Sequence, residues 1–412
     1  MKRPDLLVCL PAAPFPARRN GIAIRYAPIL QHLQATTNID VIQIASPWAK
    51  PMTPGADAGV IRSFAAIHRP KPQPSLLSRL TARARTAVFP FPPHARFAFD
   101  SQEVVDRLQD QLQGRRWDTI LWVTTSFARE VLPVLRKHAT RVVLDAIDSI
   151  YSNESKQTPV TLLGKWDLYW LGRWEVSVAK AYDQAIYISL SDISDLENFQ
   201  PDFRAKVSHI PNGVMIDDFI PEVADPPPFA PSDFIIGYLG HMAYPPNIRA
   251  ALRLKRIFDR TVGAVPNAKL MIIGRSPAKA IQALADDPRV IVTGTVDSIW
   301  PYVNRTDVFV FPMETGAGQQ NKVMEAMYAK KAVVTTPIGN RGIGAVQDRE
   351  ILIAETDEDI IRRLKDLSVS ACLRARVGQA GRAFIEENYS WDRILPRVYV
   401  SLFPQMPPNG NH

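Results

Sequence analysis

Ten short apolar runs, separated by stretches of helical periodicity, constrain this chain more than any other feature of it. In the first half they read LLVCL, VIQIA, TILWV, RVVLDAI and AIYIS; in the second, FIIGYLG, KLMIIG, RVIVTG, DVFVFP and KAVVTT. A strand wetted on one face alternates apolar with polar residues, and these runs do not. Near-continuous apolar strands with amphipathic helices between them belong to parallel sheets covered on both faces. Each half is therefore expected to be a doubly wound, Rossmann-like α/β domain. Between the halves lies PEVADPPPFAPSD, residues 221–233, whose five prolines suit neither a helix nor a central strand. The expected division is a first domain at 1–210, a linker at 211–233, a second domain at 234–390, and a C-terminal helix with a disordered tail at 391–412. Ligands of open α/β sheets bind beyond the C-terminal ends of the strands, so a cleft between two such domains is the expected place for a site.

One stretch of the second half carries chemistry. TGAGQQNKVMEAM, residues 315–327, is a glycine-rich turn running straight into a helical pattern. Gly316 and Gly318 let the backbone approach a ligand and permit positive φ. The first amides of the helix are donors at the positive end of its dipole, which suits a phosphate. Lys322 in the first turn opposes that dipole unless an anion offsets it. The stretch nearly spells the dinucleotide fingerprint, yet Asn321 stands at the third glycine and PIGNRG, after the next strand, has no carboxylate for a ribose. Glu325 is better placed to reach a ribose diol. The plain alternative is an ordinary turn followed by a solvated glutamate.

At the end of RVVLDAI stand Asp145 and Asp148. A carboxylate at the C-terminal end of a parallel strand lies at the cleft rim, where a base or a partner for an acceptor hydroxyl belongs. Asp148 is the candidate, with an N-cap for the following segment as the competing role.

GAGQQNKVMEAMYAKKAVVTTPIGNRGI resembles the signature of GT-B glycosyltransferases of the family-4-like, group 1 set. HIPNGVMIDDF, IIGYLGHMAYPPNIRAA, AKLMIIG, VIVTGTVDSIWPYVNRTDVFVFP and ENYSWDRI continue the resemblance in order over roughly residues 205–400. PAAPFPARRNGIAIRYAPILQHL and VVLDAIDSIYSNESK match more loosely, as in sugar transferases of exopolysaccharide assembly. The resemblance implies transfer of a sugar from a nucleotide diphosphate donor, UDP- or GDP-linked, to a hydroxyl of a glycan or lipid-linked acceptor, with no metal required. It implies that Lys322, the amides from Gly316 to Asn321, Glu325 and the turn at Gly240–His241 hold the donor, with Arg249 the cation nearest that turn. It further implies that Asn20–Gly21, after the first strand, flanks the donor phosphates, with Arg25 one turn on; a surface arginine is the alternative there. Better-known members carry a first glutamate eight positions before Glu325. Here that position is Ala317, and Glu314 lies three residues too early. A nucleotide-sugar epimerase and a non-catalytic partner subunit of the same fold are the rival readings.

Charge bears on partners. The net charge is +8, and residues 58–99 hold no acid but contain Arg62, Arg69, Lys71, Arg79, Arg83, Arg85 and Arg96. No nucleic-acid module accompanies these cations, so anionic small molecules or anionic lipid are the expected partners, not nucleic acid. In SLLSRLTARARTAVFPFPP, Leu76, Leu77, Leu80, Ala84 and Ala87 share one helical side bordered by Arg79 and Arg83. Residues 75–96 thus suit an anionic membrane surface, with packing on the N-terminal sheet as the alternative. No run of 18 apolar residues occurs, and the N-terminal apolar run reads as a first strand, Leu6 to Leu10. Cys9 and Cys372 read as two buried thiols of a reducing cytoplasm. A cytoplasmic protein, peripheral at the inner face of the membrane, is the expected setting.

Overall fold

The computed structural model describes residues 3–16, 20–46, 59–69, 101–156, 161–214, 229–316 and 318–405. It divides into two compact units, Met1–Pro211 with Ile394–His412, and Asn212–Arg393. The 75–96 stretch, most of the proline-rich 221–233 stretch and the last seven residues lie outside the described residues.

In the first unit β1 (Asp5–Leu10), β2 (Asn38–Ala45), β3 (Ser63–His68), β4 (Trp117–Val123), β5 (Ala139–Ile147), β6 (Gln184–Tyr187) and β7 (Val207–His209) form one sheet in the order β3-β2-β1-β4-β5-β6-β7. Every pairing is parallel. Leu6, Leu7, Val8 and Leu10 of the central β1 are fully buried, which is why that run carries no polar alternation. Strand order reverses between β1 and β4, so the loops after these two strands diverge and leave a crevice at their C-terminal ends. Asn20 opens the first crossover helix, Gly21–Leu33, its Oδ1 accepting from the Ala23 amide at 2.9 Å.

In the second unit β8 (Phe234–Leu239), β9 (Ala268–Ile273), β10 (Val290–Val292), β11 (Val308–Phe311), β12 (Ala332–Thr335) and β13 (Leu352–Ile353) run parallel in the order β10-β9-β8-β11-β12-β13. Here the switch point lies between β8 and β11. The helix Trp391–Leu402 carries the chain from the second unit back to the first, where the Leu402 carbonyl accepts from Thr119 Oγ1 at 3.0 Å and the Ser401 carbonyl from Arg141 at 3.2 Å.

The doubly wound α/β architecture agrees with the apolar runs. Three edge strands, β3, β7 and β13, gave no such signal. An edge strand has one neighbour and less to bury, and β3 is mostly half-exposed along its length. One thiol departs from expectation. Cys9 is buried in β1, which pushes its pKa up, but Cys372 is exposed in the first turn of the helix Ala371–Tyr389. Among the described residues no helix is long and apolar enough to cross a membrane.

Candidate active site

In the second unit the glycine-rich turn follows β11 and the Gly240–His241 turn follows β8, so the two stand on either side of the switch point. The loop between β11 and the helix Asn321–Tyr328 is shaped from below. Thr336 Oγ1 donates to the Met313 carbonyl at 2.8 Å, and Arg253, paired with Asp357 at 2.7 Å, reaches the Pro312 carbonyl at 3.4 Å. Gly318 sits at φ 63°, the left-handed region, and a Cβ on Gly342 would stand 2.1 Å from its carbonyl oxygen. Two glycines thus let the GNRG turn press against the loop. No side chain caps the Asn321–Tyr328 helix at Gln320, whose carbonyl accepts from the Val323 amide at 2.9 Å and the Met324 amide at 3.3 Å.

Lys322 lies in that first turn. Its ammonium donates to Asn247 Oδ1 at 2.6 Å and to the Tyr238 hydroxyl at 3.4 Å, and it stands 5.5 Å from the centre of the Tyr238 ring. It makes no ion pair among the described residues, and burial lowers its pKa from 10.5 to about 8. The ammonium is thus half-sequestered among neutral oxygens, with no carboxylate offsetting its charge among the described residues. Asn247 is the residue that sequence reasoning missed. It donates its Nδ2 to the His241 carbonyl at 3.1 Å, and Gly240 lacks a side chain where a Cβ would meet Asn247 Nδ2 at 2.9 Å. One amide therefore fixes the β8 turn and the lysine together. It stands in PPNIRAA, after β8, but its contact with Lys322 appears only once β8 and β11 are adjacent.

Gly240, His241, Gly316, Gly318, Asn321 and Lys322 are brought to this one switch point. His241 is exposed, and exposed Arg249 donates to Thr315 Oγ1 at 3.0 Å on the rim of the turn. Glu325 is half-buried one turn beyond Lys322. Gln319 is buried, and it clamps the backbone of Asn212, accepting from its amide at 2.7 Å and donating to its carbonyl at 3.3 Å. The loop is thereby joined to the PNG turn at the start of the unit.

The first unit holds the other candidates. Asn20 is committed to its cap, and Gly21 has open space around its α-carbon. Arg25 is 1% exposed, which removes the surface-arginine alternative. Its Nε pairs with Asp145 at 2.8 Å and its Nη1 donates to the Pro211 carbonyl at 3.2 Å, so much of its fork is engaged within the protein. The same Asp145 oxygen accepts from the Tyr26 hydroxyl at 2.6 Å. A β-bulge at Asp145–Ile147, with Ile147 at φ 65°, breaks the alternation there and separates the fates of the two aspartates.

Asp148 comes after the bulge. Ser149, not Asp148, caps the next helix, Ile150–Ser155, accepting from the Ser152 amide at 3.0 Å. Asp148 Oδ1 is sealed from solvent without a hydrogen-bond partner among the described residues. Burial, and then the Asp192 carboxylate, push the Asp148 carboxyl up from 3.8 to about 7, against the pull of Arg25 and Lys156. Glu175, buried and likewise raised to about 7, accepts from Ser149 Oγ at 3.0 Å and from the Tyr151 amide at 2.9 Å, so it fixes the turn that presents Asp148. A carboxyl poised near neutrality at a strand's C-terminal end can exchange a proton with a ligand at physiological pH.

Two parallel, doubly wound α/β units are the GT-B class of fold. Residues 233–368, within the second unit, match the family described as Glycosyl transferases group 1. The chain is similar in structure to sucrose-phosphate synthase of Thermosynechococcus elongatus, with a TM-score of 0.71 and 14% identity over 98% of this chain and 100% of that one. It is similar to Anabaena Alr3699/HepE, solved in complex with UDP and glucose, with a TM-score of 0.66 and 12% identity over 98% and 100% of the two chains. In sequence it is 22% identical over 171 residues to an uncharacterized 44.6 kDa protein of the cps region of Klebsiella pneumoniae. That match covers 39% of this chain and spans 44%, less than half, of the relative's length.

Proposed function

We propose that this protein moves a sugar, of the hexosyl type, from a UDP- or GDP-sugar to a hydroxyl of a glycan or lipid-linked acceptor in cell-surface polysaccharide assembly. The observation that carries the reading is Lys322, a cation with no carboxylate partner among the described residues, in the uncapped first turn of a helix at the switch point. When the glycosidic bond to the nucleotide breaks, negative charge develops on the leaving diphosphate and positive charge on the sugar. Fixed donors aimed at the diphosphate lower that barrier with no reorganisation. Lys322, the Gly318–Lys322 amides and Arg249 on the rim supply them, and Glu325 is assigned to a hydroxyl of the donor. Asp148 is assigned to the acceptor: as a carboxylate it takes the hydroxyl proton while the oxygen attacks the sugar. Arg25, held on Asp145, is assigned to shaping that turn and biasing Asp148, with any phosphate contact confined to what its fork leaves over. The UDP in the HepE complex makes UDP-sugars the first donors to try, and the relative from a cps region supports the polysaccharide setting.

A thermal-shift panel of UDP-, GDP- and ADP-sugars tests the reading, followed by release of free nucleotide in the presence of glycan and lipid-linked acceptors. One nucleotide class should stabilise the protein and be consumed. No stabilisation by any of them, with no release, would favour a non-catalytic subunit.

A further inference from the structure

The helix Leu162–Ala181 in the first unit is buried along one side, yet its N-terminal half carries Leu162 88% exposed, Leu163 78%, Trp166 53% and Tyr169 45%. Together with Trp170 and Arg173 these fall in one arc of about 120° on the helix surface. Trp166 meets Trp170 edge-on at 5.8 Å, Trp170 meets Tyr169 edge-on at 5.5 Å, and the Arg173 guanidinium lies within 6.0 Å of the Tyr169 and Trp170 ring centres. Exposed Lys165 flanks the arc, and Asp167 is the one acid between Leu162 and Arg173. The other end of this helix bears Glu175, which holds the Asp148 turn through Ser149 and Tyr151. From Leu162 to Glu175 is thirteen residues, about 20 Å of helix.

We propose that this stripe is a membrane-seating face, which docks the first unit on an anionic lipid surface and brings a lipid-linked acceptor within reach of Asp148. Leucines at the leading end, amphipathic Trp and Tyr behind them and cations at the border are the composition of an interfacial helix. The two cations attract an anionic headgroup layer while the apolar arc enters the acyl boundary. A soluble sugar chain fits less well. Sugars stack on open ring faces, whereas these rings pack edge to face, and the two most exposed residues are leucines. The acceptor part of the proposal rests on the transferase reading above; the lipid-binding part does not.

Flotation of the full-length protein with phosphatidylserine-containing vesicles, against phosphatidylcholine alone, tests it without any nucleotide. The intact protein should float with the anionic vesicles at low salt. Leu162→Ser combined with Leu163→Ser should cut partition by about tenfold or more, with melting temperature and UDP affinity unchanged. Brominated lipid should quench tryptophan fluorescence in the parent, and Trp166→Phe should lose much of that quenching. Failure of the parent to float would overturn the proposal. So would unchanged flotation of the double variant, which would move the contact to another surface, or a parent dimer that this variant dissociates. Flotation without UDP binding would keep the lipid face and sink the transferase reading instead.

Discussion

Replacing Lys322 with methionine should make the unliganded protein more stable and the nucleotide-bound protein weaker. Burial lowers the Lys322 pKa from 10.5 to about 8, so keeping the ammonium charged at pH 7 costs roughly 3 kcal/mol relative to the unfolded chain. Methionine of similar length carries no such cost, but it gives up the hydrogen bond to Asn247 Oδ1, worth about 1 kcal/mol. Asn247 keeps the Tyr238 hydroxyl as a donor at 3.3 Å, so no buried acceptor is stranded. The net expectation is about 2 kcal/mol of added stability, or roughly 4–8 °C in the melting of a unit of this size. The folded pKa lies below the unfolded one. The penalty is therefore fully present below pH 8 and disappears as pH rises towards 10.5. Melts of parent and Lys322→Met at pH 7 should differ, and the difference should shrink by pH 9.5. Calorimetry with UDP or GDP should show the opposite sign. Loss of one charge-assisted hydrogen bond weakens binding by about 1.5–3 kcal/mol, on the order of 10- to 150-fold. Parent affinity should fall as pH rises above about 8, while the variant stays flat. A variant that melts lower at pH 7 and binds nucleotide as tightly as the parent would refute the assignment of Lys322 as a strained, ligand-directed cation.

Further consequences can be checked separately. Asp148→Asn should slow turnover while sparing nucleotide affinity, and the parent's rate should fall as pH drops through about 7, because a carboxyl raised that far loses its basic form there; equal rates at all pH values would discard the role. Glu175, which holds the Asp148 turn through Ser149 and Tyr151, is raised to about 7 as well, so its protonation will add to that limb. Asn247→Asp should place a carboxylate against Lys322, neutralise it in place and weaken nucleotide binding about tenfold or more in calorimetry, with a lower melting temperature because the donor to the His241 carbonyl is lost. Gly342→Ala should push on the Gly318 carbonyl, which its Cβ would approach to 2.1 Å, and lower donor affinity more than melting temperature. Asp40, buried beneath Arg62, Arg115 and Trp117, is held at about 2; it adds about 2 kcal/mol of stability above pH 4, lost as pH falls through 2, and Asp40→Asn should remove it from acid-denaturation curves.

The ten apolar runs made the two sheets legible because a strand buried on both faces must be apolar throughout. The edge strands β3, β7 and β13 were not legible, since a one-sided strand of two to six residues carries little pattern. In the candidate site, the glycine turn and Lys322 could be found from local chemistry alone: a cation in a helix's first turn is a conflict visible in one short stretch. Asn247 could not, because it acts on a lysine 75 residues away. Nor could the Arg25–Asp145 pair, 120 residues apart, which buries a residue that the sequence left open between a phosphate contact and a surface arginine. Ser149 displaced Asp148 from the capping role for a subtler reason, the bulge at Asp145–Ile147, which shifts the chain by one residue before the helix begins.

A crystal structure of the protein with UDP tests the central claim most directly. The diphosphate should lie against the Gly318–Lys322 amides with an oxygen within hydrogen-bond reach of Lys322 Nζ, and Asn247 should still hold the lysine. A nucleotide bound elsewhere, with this switch point vacant, would contradict the account.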